Sequence, residues 1–537
     1  MLLVLLSLTT TVAGAAEDAG PWVVRVYYDD VREIGRLAEF DLFEHNDRDE
    51  RYVLAGLDQA DYAEVASLGF RLEIDEARTA ELREPRVVLP TQVAGIPGYP
   101  CYRTVEETFE TAAEIAAEHP ELATWIDVGD SWAKSVGQGG YDLWVLRLTR
   151  ADVPGPKPKL FITSAIHARE YTPAELNTRF AEYLVNGYGT DADATWLLDY
   201  HEIHLMLQAN PDGRKHAETG EWWRKNTNQA HCSPASSNRG ADLNRNFDFE
   251  WGCCGGASTN ECSSTYRGPW SASEPETRAV QDYMAAQFPD QRDPPLDAPA
   301  PRGATGVYID LHSYSELVLW PWGFYSAAPN AAQLRTFGRK LAYFNGYTPQ
   351  QAVDLYVTDG TTLDFGYGEL GLATYTFELG TTFFQPCHQF QNTILPANLP
   401  ALIYAAKVAR TPYLTPSGPD ALDVAATPET VERGAMLELT ATIDDTRYNH
   451  ENGVEPDQAI ADAECYIDRP PWAPLAAARG IGMLPTDGRF DASVEEVGLS
   501  VDTTRLAGGR HIAFVRGRDA DGNWGAFSAV FFAIADE

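Results

Sequence analysis

Between about residues 98 and 412 short β-rich runs take turns with helical patterns, and this alternation restricts the fold more than any other feature of the chain. The runs are "YDLWVLRLT", "PKLFITSAI", "YHEIHLMLQAN", "GVYIDLHS" and "ATYTFELG", while "TVEETFETAAEIAAEHP" carries a helical repeat. Strands separated by helices pair in parallel, because each crossover returns the chain to the same end of the sheet. The pattern predicts an α/β unit: a mixed, mostly parallel sheet covered by helices. Open sheets of this type carry their sites at the carboxyl ends of the strands.

With 537 residues, the chain exceeds what one core organises, and two to four domains are expected. From 22 to 90 the alternating "WVVRVYY", a helix around "DQADYAEVASLG" and a strand at "RLEID" read as a small α+β unit, bounded here at 16–96. Its end, "ELREPRVVLPTQVAGIPGYP", is rich in Pro and Gly and holds two Arg-containing stretches that a processing protease can reach. A small unit ahead of such a linker suggests a propeptide; a permanent N-terminal domain is the competing reading. The α/β unit follows at 97–413. Residues 418–537 then show strand-like pieces and turn signals without a good helix, as in an antiparallel β-sandwich. Within it "DADGNWG" spaces its carboxylates as a Ca²⁺ loop does, although a hairpin turn suits it better.

Residues 1–15 end an apolar run with Ala13-Gly14-Ala15, the form of an export signal, though no Lys or Arg precedes the run. A secreted protein, extracellular or periplasmic, is expected, and no other segment is apolar for long enough to span a bilayer. Seven cysteines fit an oxidising compartment, and four of them between 232 and 262 predict a stapled loop. Cys253 and Cys254 are adjacent, which no zinc knuckle provides. An odd count leaves one thiol, assigned to the isolated Cys465. The formal charge of −37 repels nucleic acid and anionic lipid, so neither is an expected partner.

The chemistry gathers at strand ends. In "FITSAIHARE" an apolar strand runs into His167 and Glu170, whose i,i+3 spacing on a first helical turn would aim both at one ion. Chance alone supplies such a pair in a chain with 11 His and 78 acidic residues, so the pair needs independent support. His312 in "GVYIDLHSYSELVLWPWG" supplies a third ligand just past another apolar strand. Glu378 in "LATYTFELG" ends a further apolar strand, where a carboxylate beside a cation can act as a general base. "HEIH" at 201–204 is a decoy: in a strand His201 and His204 face opposite sides and cannot share an ion.

"HARE" at 167–170, "WWRKN" at 222–226, "GADLNRNFD" at 240–248, "LHSYSELVLWPWG" at 311–323 and "YTFELG" at 375–380 together resemble the zinc carboxypeptidases of the carboxypeptidase A and T type. The resemblance implies one catalytic Zn²⁺ held by His167, Glu170 and His312, with Glu378 moving a proton from the activated water to the leaving amine. It implies that Arg224 polarises the scissile carbonyl, and that Asn244 and Arg245 grip the substrate's terminal carboxylate, which a planar guanidinium does bidentately. Tyr356 falls where the family keeps a mobile tyrosine, Arg169 matches a subsite contact, and Tyr314 joins them as a substrate contact. Gly323, Thr361, Leu363 and Thr376 are expected to form a pocket for an apolar or aromatic residue. Asp359 in the same loop would instead attract Lys or Arg, leaving a broad or dual preference open.

The implied partners are peptide or protein C-termini, with the chain's own propeptide as inhibitor of a zymogen. Two rivals share the site residues: a same-fold peptidase acting on peptidoglycan peptides or glutamate tails, and a non-catalytic peptide-binding protein.

Overall fold

The computed structural model describes residues 20–83, 88, 91–473 and 480–535. The export signal expected at 1–15 and most of the Arg-containing linker, 84–87 and 89–90, lie outside the described residues.

The leading unit is an antiparallel sheet of β1 (Trp22–Tyr27), β2 (Asp41–Asp47), β3 (Tyr52–Leu57) and β4 (Arg71–Ile74), in the order β2-β3-β1-β4. Helices Gln59–Ser67 and Glu76–Leu82 accompany it, each opened by an aspartate whose carboxylate caps free N–H groups. β2 was not apparent from the sequence: "DLFEHND" alternates poorly, because it buries Glu44 among apolar neighbours.

Eight strands form the central sheet: β5 (Ala123–Asp130), β6 (Asp142–Leu148), β7 (Lys159–Ser164), β8 (Glu202–Met206), β9 (Val307–His312), β10 (Leu317–Trp320), β11 (Thr348–Gln351) and β12 (Ala373–Glu378). Their order is β11-β10-β12-β9-β7-β8-β6-β5. The middle four, β12, β9, β7 and β8, run parallel; β10 and β6 join them antiparallel on either side, with β5 antiparallel to β6 and β11 parallel to β10. Every residue of β9 and β12 is buried, as expected of strands covered on both faces. Glu378 pairs with His312 and Ser164 with Leu311, so the carboxyl ends of β12, β9 and β7 reach one edge together. In "HEIH", His204 bonds the Tyr283 hydroxyl at 2.7 Å, whereas His201 meets Trp196 edge-on.

Disulfides join Cys101 to Cys387, Cys232 to Cys262 and Cys253 to its neighbour Cys254; Cys465 is free and buried. No described helix is long and apolar enough to cross a membrane.

The C-terminal strands, between 420 and 535, form sheets of four and five strands around Leu437, Ile443, Val515 and Phe532. "DADGNWG" makes a tight turn in which the Asp519 carboxylate accepts from the Asn523 backbone at 2.7 Å and its side-chain amide at 2.8 Å. The sandwich packs firmly on the catalytic unit: Phe514 and Phe527 belong to the same apolar cluster as Trp196 and Tyr404. Lys340, fully buried on helix Ala331–Asn345, pairs with Asp420 of the sandwich at 3.3 Å and lies over the Tyr448 ring. Asp420 also pairs with Arg447 at 3.3 Å, whereas Lys340 pairs with no other carboxylate among the described residues. Asp420→Ala therefore leaves a buried ammonium uncompensated and should lower stability by about 3–5 kcal/mol in denaturant unfolding. A loss under about 1 kcal/mol, typical of exposed pairs, would show that the seam does not depend on this contact.

Candidate active site

His167 lies three residues past β7 and His312 is the last residue of β9, so two parallel strands deliver both imidazoles to one edge. Glu170 is not on a helical turn, as its spacing suggests, but is the residue that opens helix Tyr171–Gly187. The loop before it turns through Ala165, at φ 58°, and is anchored by the Ala168 N–H donating to the Arg224 carbonyl at 3.0 Å. One ligand atom from each of His167, Glu170 and His312 lies within 4.8 Å of the others, and all three side chains are buried. Glu170 Oε1 is 2.7 Å from His167 Nδ1, and Oε2 is 3.2 Å from His312 Nδ1.

Both rings are held from behind. His167 Nε2 is 3.1 Å from Asp242 Oδ1, and His312 Nε2 is 2.8 Å from Asp310 Oδ2. A carboxylate at one ring nitrogen fixes the imidazole and aims the other nitrogen at the ion, as around zinc. Two nitrogens and a carboxylate oxygen with an open side are the donor set of a catalytic zinc, and the residues present fit that ion. Burial alone would raise Asp242, but Arg224 and His167 hold its carboxyl well below the usual range.

Glu378, last in β12, is 4% exposed, and its Oε2 has no hydrogen-bond partner among the described residues. Burial first, and then the nearby Glu44 charge, push its pKa well above the ordinary carboxylate value. Arg224 donates from Nε to Asp242 Oδ2 at 3.1 Å. Arg245 donates to the Gly256 carbonyl at 3.1 Å and the Asn244 carbonyl at 2.8 Å, while the Asn244 side-chain oxygen accepts from the Thr362 N–H at 2.9 Å. Tyr356, Thr361, Leu363 and Thr376 line the same cleft as His167, Arg224, Arg245, His312 and Glu378.

Asp359 is a correction. It is fully buried, and its carboxylate accepts N–H groups of Gly252, Cys254 and Gly256 at 3.3, 3.1 and 2.9 Å. It therefore braces the Cys253–Cys254 loop and is not among the residues that line the cleft. The expected neighbour Gly323 backs the cleft, its N–H donating to Asp364 at 3.0 Å.

Sequence reasoning expected the leading unit as an inhibitor but named none of its residues in this site. Glu44 of β2 lines the cleft, with Oε1 3.4 Å from both Arg224 Nη1 and the Tyr356 hydroxyl. Asp41 accepts both terminal nitrogens of Arg169 at 2.6 and 2.8 Å. Tyr314 packs against Phe383 and Phe43. Asp242 and Asp310 were also missed; their only signals were a place inside "GADLNRNFD" and the alternate position before His312 in "YIDLH".

A His-Glu-His set matched to zinc, with a buried carboxylate beside it, defines the class as a metal-dependent hydrolase. A family model described as zinc carboxypeptidase, Peptidase M14, matches residues 109–397, more than half of the chain, and the chain belongs to that family. It is 33% identical over 298 residues to a zinc carboxypeptidase of Saccharothrix mutabilis subsp. capreolus, covering 52% of this chain and 62% of that protein. It is 30% identical to carboxypeptidase A1 of Rattus norvegicus, covering 59% and 72%. The crystal structure of carboxypeptidase A from Helicoverpa armigera shares the fold, with a TM-score of 0.57 at 21% identity over 73% of this chain and 97% of that one.

Because Asp242 orients His167, Asp242→Asn should weaken zinc affinity about 10–100-fold, measured by competition with a chromogenic chelator. Unchanged affinity would remove Asp242 from that role.

Proposed function

We propose that this chain is a secreted, zinc-dependent carboxypeptidase that releases single C-terminal residues, favouring apolar and aromatic ones. The observation that carries the reading is the convergence, in one buried cleft, of the ligand set, the unpartnered Glu378 carboxylate and two arginines. Zn²⁺ bound by His167, Glu170 and His312 would supply a Lewis acid and a more acidic water. Glu378 accepts a proton when ionised and returns it to the departing amine, and its desolvated position suits both halves of that exchange. Arg224, fixed by Asp242, holds the negative charge that develops on the carbonyl oxygen. Arg245 and Asn244 bind the terminal carboxylate, so only the last peptide bond lies in register. Tyr356 covers the terminal residue, and Arg169 and Tyr314 contact residues further up the substrate. Leu363, Thr361 and Thr376 favour an apolar side chain, and the Asp359 carboxylate is taken by the N–H groups of Gly252, Cys254 and Gly256.

The leading unit acts as the inhibitor in this reading. Two features support it: Asp41 and Glu44 occupy Arg169 and Arg224, and the unit's apolar face shares a cluster with Leu319, Leu355, Tyr356 and Leu363. Cleavage in the Arg-containing linker, followed by release, would open the cleft.

N-blocked dipeptides ending in Phe, Leu, Lys, Arg or Glu test the activity. After proteolysis in the linker, chelator-sensitive release of Phe or Leu at least as fast as Lys is expected, and absence of any release would reject the assignment. Preferred release of Glu would point instead to glutamate tails. Glu378→Gln should retain zinc, by metal analysis, and lose turnover about 10²–10⁴-fold. The uncut chain should be at least about tenfold less active than the cut one, given that two charge-assisted contacts block its arginines; equal activity would show that the leading unit does not inhibit.

A further inference from the structure

The seam between the catalytic unit and the C-terminal sandwich encloses a second cavity of about 290 Å³, which shares no lining residue with the catalytic cleft. His201, Arg410 and Leu414 line it from one side; Trp472, Trp524 and Phe527 line it from the sandwich. His201 is 1% exposed, and neither of its ring nitrogens has a hydrogen-bond partner among the described residues. Trp472 Nε1 and Arg410 Nε are buried and without a partner as well. Buried polar atoms in folded proteins are nearly always bonded, so four unbonded nitrogens around one cavity mark a place that something else fills.

The charge of the wall narrows what that is. Arg410 forms no ion pair with any carboxylate among the described residues. Its one hydrogen bond, to the Tyr200 carbonyl, is long at 3.5 Å. Its guanidinium stands 4.8 Å from the centre of the Trp472 ring, and burial lowers its pKa to about 10 with no acid nearby to restore it. The other cations of the wall are taken: Arg516 pairs with Glu464 and Lys407 with Asp193, each at 2.5 Å. An uncompensated, partly buried guanidinium is a costly feature in a chain of net charge −37, and an anion removes that cost. His201, kept neutral by burial and by Arg410, offers one donor and one acceptor.

We propose that this cavity is a binding site for a small organic carboxylate with a flat apolar body, its oxygens taken by Arg410, Trp472 and His201 and its body set among Trp524, Phe527 and Leu414. A neutral aromatic would leave Arg410 uncompensated, and a bare inorganic anion would leave the apolar side of the cavity, at Trp524, Phe527 and Leu414, unfilled. The volume is near the lower limit of small-molecule sites, about 300 Å³. Because both units contribute walls, such a ligand would also stabilise their docking.

Calorimetric titration of the full chain with benzoate, benzamide and inorganic phosphate tests this. Benzoate should bind one site per chain, with benzamide and phosphate at least tenfold weaker. Arg410→Gln should weaken benzoate at least tenfold, the scale of one charge-assisted hydrogen bond, and Arg245→Ala should leave its affinity unchanged. No benzoate binding at millimolar concentration, or benzamide or phosphate binding as well as benzoate, would overturn the proposal. So would benzoate lost in Arg245→Ala but kept in Arg410→Gln, which would place the anion in the catalytic cleft. Where Arg410→Gln fails to fold, the Arg245→Ala titration decides: unchanged benzoate affinity keeps the anion out of the catalytic cleft, and lost affinity overturns the proposal. It is independent of catalysis, so its failure leaves the carboxypeptidase reading untouched.

Discussion

The two oxygens of Asp242 do separate work: one holds His167 and the other holds Arg224. A fully buried carboxylate is costly unless paired on every side, and here both partners are site residues. The orientation of His167 and the position of Arg224, proposed above to face the substrate carbonyl, are thereby set by a single side chain. The same aspartate accepts the Asn244 N–H at 3.0 Å, which carries the constraint to the pair assigned to the terminal carboxylate. The placement of His167, Arg224 and Asn244 depends on one buried anion.

Around that anion the cleft is crowded with like charges. Burial and the Glu170 charge push Glu44 up, burial and the Glu44 charge push Glu378 up, and Arg224 counters part of both shifts. His167 and His312, by contrast, hold the buried Glu170 below the usual range. Glu44 belongs to the leading unit, so its departure would remove one negative charge from the neighbourhood of Glu378. The docked leading unit and the working cleft are in this sense electrostatically opposed states of one site.

The C-terminal sandwich is no loosely tethered appendage. Its rings share a cluster with the catalytic unit, and Lys340 reaches across the seam to Asp420. The seam is nevertheless imperfectly satisfied around His201, Arg410 and Trp472, in contrast with the fully partnered polar groups behind the histidines. Structural contacts alone would favour filling such a gap with apolar side chains.

Much was legible in the sequence because it was local. Apolar runs bounded by turn signals revealed β7, β9 and β12, and polar residues at their carboxyl ends exposed His167, His312 and Glu378, since strand ends in parallel sheets are where chemistry collects. Motif order supplied Arg224, Asn244 and Arg245 by resemblance. What remained hidden depends on which distant segments meet. Asp359 and Leu363 lie four residues apart, yet one braces a disulfide loop and the other lines the cleft, a difference set by backbone direction at a helix start. Glu44 is more than a hundred residues from Arg224 in sequence, and nothing in "DLFEHND" indicates that it enters the cleft. The sequence by itself determined the fold class, because periodicity and spacing act within a strand or turn, and with the order of its motifs it put forward His167, Glu170, His312 and Glu378 as candidates. Only the tertiary structure decided which carboxylates orient the histidines, what covers the cleft and which buried nitrogens lack partners, because those follow from the packing of segments far apart along the chain.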